Sequence, residues 1–144
     1  DNFDGAFPSG ITIGCANTVT LNSAQAVTDF LPQGGGPLAL TAVYVDPTSP
    51  LISTLAGNLL AVSLALGFDS YDSSFGLSSG YLGDLIITSG TFSGWTLTNL
   101  VDEANLALGG CSSSYGLSEL NDALANASSS FTDGDTSSGF LACP

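Results

Sequence analysis

The sequence predicts an α+β fold: a helix-dominated single domain around a central apolar helix, with a small β-hairpin and short extended segments. Three observations lead there. A chain of 144 residues is one domain's length and suffices to bury one sizeable core. Apolar residues make up 44% of it against 9% charged, which separates it from disordered acidic chains. Alternation of period two occurs early in the chain, and apolar spacing typical of helices dominates later. No internal repeat and no linker divides residues 1–144.

The elements follow in order. Gly10 to Leu21 reads as a hairpin turning at Gly14 to Asn17, because Ile11, Ile13, Val19 and Leu21 alternate with Thr12, Thr18 and Thr20. Asn22 or Ser23 caps a short helix from Ala24 to Leu31, which Pro32 ends. Gln33 to Pro37 is a loop, and Ala42 to Val45 an extended piece closed by Asp46-Pro47. Ser49-Pro50 combines a capping hydroxyl with proline at the first helical position, so the central helix is expected from Pro50 to Leu66, stopping at Gly67. Its stripe of Leu51, Leu55, Leu59, Val62 and Leu66 is thickened by Ile52, Ala56, Leu60 and Leu64, marking a buried core helix. At about 17 residues, with Ser53, Thr54, Gly57, Asn58 and Ser63 inside it, it is a poor membrane span.

Phe68 to Tyr81 then forms a long polar loop, and Leu82 to Thr88 a buried strand or extended turn. Thr96 caps a helix from Leu97 to Leu108 that Gly109-Gly110 ends. A last helix runs from Leu117 to about Ser130, and Asp133-Gly134-Asp135 turns the chain toward Phe140 to Cys143.

Charge removes most function classes. The chain has 13 Asp plus Glu and no Lys, Arg or His, a formal net charge of −13 at pH 7. No cation is present to neutralise phosphate, so nucleic acid is not an expected partner. An anionic membrane surface repels the chain, and no membrane insertion is expected. Imidazole bases and ligands, Schiff-base lysines and arginine clamps are all missing. A surface made largely of Ser, Thr, Asn and Gly, without sites for trypsin-like proteases, suits an extracellular protein, secreted or at the cell surface.

The acids are what remains for chemistry. Asp133 and Asp135 could offer oxygens to Ca²⁺, although the spacing lacks the further acids of an EF-hand and a plain turn is the simpler reading. No other cofactor is expected. Asp69, Asp72 and Asp84 form a weaker oxygen cluster in sequence, and a glycosidase would need two opposed carboxylates that nothing here places together. Asp102 and Glu103 are neighbours on a helix, so their side chains are expected to diverge over a solvated face. Trp95, Tyr44, Tyr71, Tyr81 and Tyr115 are candidates for a sugar-stacking platform, but Phe92 and Trp95 read better as seating the helix that follows. Tyr71, Phe75 and Tyr81, spread through the polar loop, are the candidate interface aromatics. Asn126-Ala127-Ser128 matches a glycosylation acceptor, within a helix.

The runs FPSGITIGCANTVTLNSAQAVTDFLP, LAGNLLAVSLALGFD, LGDLIITSGTFSGWTL and LALGGCSSSYGLSELNDAL resemble a module of exported cell-surface proteins of Bacteroidetes, clients of type IX secretion. The likeness spans nearly the whole chain in order. It implies an extracellular structural or adhesive role and carries no catalytic residue. In that module a segment with a Tyr-Thr-Gln-Gly-type motif precedes the equivalent of Phe3; its absence here implies trimming, or supply by a neighbouring subunit.

The expected function is therefore a non-enzymatic extracellular structural subunit of a surface fibre, filament or adhesin assembly. The alternative is an adhesion module binding Ca²⁺ or carbohydrate. Cys15 at a hairpin turn and Cys111 just past a helix end are expected to pair, leaving Cys143 for an external or inter-subunit partner. Copies of a chain without cationic side chains cannot form side-chain salt bridges with each other. Contacts in a homo-oligomer or filament should then fall where carboxylates are sparse, at Gln33 to Val45 and Ser73 to Leu82. Insertion of a terminal segment into the next subunit is the expected mode.

Overall fold

A computed structural model describes residues 2–31, 35–47, 53–71, 82–129 and 141–142. Two strands, β1 (Ile11–Gly14) and β2 (Thr18–Leu21), form the antiparallel hairpin, with Ile11 opposite Leu21 and Ile13 opposite Val19. These four side chains are buried on one face, while Thr12 and Thr20 hydrogen-bond to each other at 2.9 Å on the other. Period-two alternation thus sorts the strand into an apolar and a hydroxyl face. A two-residue strand, β3 (Tyr44–Val45), extends the sheet by pairing parallel to β2 and forms its edge.

The described residues form five α-helices that pack on the sheet or on each other: α1 (Asn2–Ala6), α2 (Ala24–Phe30), α3 (Thr54–Tyr71), α4 (Leu97–Leu108) and α5 (Leu117–Ser129). α2 is capped by Ser23, whose Oγ accepts from the Ala26 amide at 3.1 Å. α4 is capped in the same way by Thr96 and keeps its expected bounds. Gly116 immediately precedes α5, and its amide donates to Glu119 Oε1 at 3.1 Å, one half of a capping box. A second small sheet pairs β4 (Ile86–Ile87) antiparallel with β5 (Leu141–Ala142).

The core is one continuous cluster, with α3 at its centre between α1, α4, α5 and β1. Leu55, Leu59, Leu60 and Val62 of α3 are almost wholly removed from water. Two of its expected bounds are corrected. Ser53, not Ser49, caps α3: its Oγ accepts from the Ala56 amide and donates to the Leu38 carbonyl at 2.7 Å. Gly67 does not stop the helix, which continues to Tyr71, so the expected loop starts later than Phe68. A Cβ at Gly67 would overlap the Phe7 ring, and Phe7 in turn meets Phe68 edge-on at 5.5 Å. The glycine is a seat for α1, which the sequence does not announce. Ser49 and Pro50 themselves lie outside the described residues. Among the described residues, no helix is long and apolar enough to cross a membrane.

Candidate functional site

Cys15 and Cys111 form a disulfide with a Cα separation of 6.1 Å, joining the hairpin turn to the end of α4 across 96 residues of sequence. Local hydrogen bonds hold the two elements in place. The Gly14 amide donates to Asn105 Oδ1 at 2.8 Å, and the Asn17 amide to the Gly109 carbonyl at 3.0 Å. Gly109 lies so close to the Cys15 backbone that any Cβ there would overlap it.

Next to this junction runs an apolar ledge. Leu40 is buried, with its amide bonded to the Leu108 carbonyl, but Leu38, Val43 and Val45 are 52%, 61% and 62% exposed. The stretch from Gly35 to Val45 has no charged residue. The first carboxylate after it, Asp46, adopts a left-handed backbone (φ 46°) and is tied down by the Asn22 amide and side chain at 2.8 and 3.1 Å. The ledge ends on the sheet's edge strand, β3. Gln33 and the second charge-poor stretch, Ser73 to Tyr81, lie outside the described residues.

A second feature, on the outer side of α4, is an open hollow of about 400 Å³ lined by Gly94, Trp95, Asn99, Asp102, Glu103 and Leu106. The four helical residues are spaced i, i+3, i+4 and i+7, one face of α4. Asp102 and Glu103 both line this hollow, with Asp102 exposed, as expected of a solvated face, and Glu103 half-buried. Adjacent residues differ by about 100° around a helix, which leaves both at the rim of a groove centred between them. Glu103 accepts a hydrogen bond from Ser113 Oγ, and Ser113 also holds the Tyr115 amide at 3.2 Å. Trp95 stands nearly perpendicular to Phe92 and Tyr115, at centroid distances of 5.0 and 5.3 Å. The buried Phe92 anchors this trio; positive-φ Gly90 and Gly94 turn the chain that carries Phe92 and Trp95 ahead of α4, and Tyr115 joins them from the link between α4 and α5.

Of the other expected site residues, only some are described. Asp133, Asp135, Cys143, Phe75, Tyr81 and Asp72 lie outside the described residues. Tyr71 is the last residue of α3 rather than part of the loop. Asp69 is buried in α3 and Asp84 exposed on a single 3₁₀ turn, Leu82–Asp84. Among the described residues, no three His, Cys, Asp or Glu side chains are grouped to hold a metal ion. Tyr44 Oη lies 3.4 Å from Thr41 Oγ1, apart from the Trp95 trio.

Both described ends of the chain pack on their own domain. Phe3 is buried in the core, and Leu141–Ala142 pairs with β4. Comparison of the chain with protein-family models, curated proteins and solved structures found no match.

Proposed function

We propose that this protein is a non-enzymatic extracellular structural subunit, part of a surface fibre, filament or adhesin assembly, that associates with copies of itself through the ledge from Leu38 to Val45. The observation that carries this reading is the placement of three large exposed apolar side chains on an uncharged segment ending in an edge strand. Exposed edge strands pair with further strands unless charge or proline blocks them. In a chain of net charge −13, two copies repel least where each presents no carboxylate. A second copy brings an equally uncharged ledge, and a two-fold contact would place like against like. The disulfide supports an oxidising compartment. For the mode of contact, this reading takes edge-to-edge association in place of insertion of a terminal segment.

The test is the double variant Val43→Asp with Val45→Asp, compared with the unaltered chain by size-exclusion chromatography with light scattering. Both side chains point to solvent, so the fold should persist, checked by circular dichroism. The proposal expects the unaltered chain to elute above monomer mass and the variant at monomer mass. Equal monomer mass for both, or equal association of both, would overturn it.

A further inference from the structure

The hollow before Trp95 shares no lining residue with the Leu38 to Val45 ledge. Its volume, about 400 Å³, falls among small-molecule sites, which span about 300–1,000 Å³. Its lining combines an aromatic ring with both kinds of hydrogen-bonding group. Of its lining residues, Trp95 carries an N–H donor, Asn99 both a donor and an acceptor, and Asp102 and Glu103 acceptors. Among the described residues, the polar groups of Trp95, Asn99 and Asp102 side chains have no hydrogen-bond partner. The Glu103 carboxylate is held in place by Ser113, which pre-orients it. Leu106, 37% exposed, supplies an apolar flank.

We propose that this hollow binds a neutral pyranose unit of a glycan. A pyranose has a C–H face that stacks on an aromatic ring and hydroxyls that both donate and accept, matching the mixed lining. An organic cation would use the carboxylates and the ring but turn its charge toward the indole N–H and the Asn99 donors. An anionic ligand such as a uronate, sulfate or phosphate meets two carboxylates in a chain of net charge −13 and is repelled. A divalent cation would find two carboxylates here, one already committed to Ser113. The hydroxyl-rich neutral sugar is the ligand that leaves no lining group opposed. The inference is independent of the ledge and of self-association.

Trp95 is the chain's single tryptophan, so its fluorescence reports the site directly. Titration of the whole protein with maltohexaose, cellohexaose, xylohexaose and mannohexaose should give a saturable change with at least one of them. Asp102→Ala and Asn99→Ala, both on exposed positions of α4, should weaken that binding at least tenfold with the circular dichroism spectrum unchanged. Oligogalacturonate should give no response. The proposal is overturned if no neutral hexasaccharide changes the fluorescence, if only CaCl₂ or tetramethylammonium chloride does, or if both substitutions leave sugar binding intact. The Val43→Asp, Val45→Asp variant should bind sugar as the unaltered chain does, which separates this outcome from that of the assembly test.

Discussion

The ring of Phe7 occupies the space that a Cβ on Gly67 would need, so a glycine inside the central helix fixes where the N-terminal helix docks. Phe7 also lies 5.3 Å from Phe3, centroid to centroid, and 5.5 Å from Phe68. The three rings bind α1 to α3.

Gly67→Ala is accordingly predicted to destabilise the protein. Alanine favours a helix interior by about 1 kcal/mol over glycine. Forcing a methyl into a filled space costs about 1–3 kcal/mol, and here it meets an aromatic ring braced by two others. A net loss of about 1 kcal/mol is expected in urea unfolding. In a Phe7→Ala background the same substitution should reverse sign and stabilise, because only the helix preference remains. Stabilisation by Gly67→Ala in the unaltered chain would contradict the packing described.

The disulfide yields a second prediction. Closing a loop of 96 residues removes denatured-state entropy worth about 4–5 kcal/mol in the chain-entropy model. Cys15→Ser with Cys111→Ser should lower stability by about 2–5 kcal/mol. Non-reducing peptide mapping should recover the peptides of Cys15 and Cys111 as one species, and recovery of Cys111 joined to Cys143 would refute the pairing. Gly109→Ala should weaken the same junction, since its methyl would meet the Cys15 backbone.

Ser53 closes α3 and also ties it to the ledge. Its hydroxyl serves the Ala56 amide and the Leu38 carbonyl, and Ser53 is buried. Ser53→Ala removes a cap and a hydrogen bond, a loss of about 1–2 kcal/mol. The midpoint of urea unfolding should fall with an unchanged slope. No change in midpoint would mean that α3 is capped otherwise.

Much of this was legible in the chain, and the parts that were not share a cause. Ile11, Ile13, Val19 and Leu21 disclose the hairpin because alternation is a local signal, and Thr96 with Gly109 brackets α4 for the same reason. The start of α3 misleads because Ser49-Pro50 and Ser53 are both good caps within one turn, and the choice rests on Leu38, fifteen residues away. α1 is too short, at five residues, to show a period, and its position depends on Phe3 and Phe7 meeting α3. β4 and β5 are two residues each and pair across more than fifty positions. Of the hollow, the face Asn99, Asp102, Glu103 and Leu106 could be read from helical spacing. That Trp95 closes it depends on the turn at Gly94 and on the stacking of Tyr115, which no local pattern encodes.

Sedimentation velocity of the unaltered, oxidised protein over a wide concentration range, at low and moderate salt, tests the central claim most directly. The subunit has a mass of 14.4 kDa and repels its copies through a charge of −13, and salt screens that repulsion without weakening apolar contact. Self-association through the Leu38 to Val45 ledge predicts species heavier than the monomer, increasing with concentration and strengthened or unchanged by added salt. A single 14.4 kDa species at the highest concentration in moderate salt would contradict it.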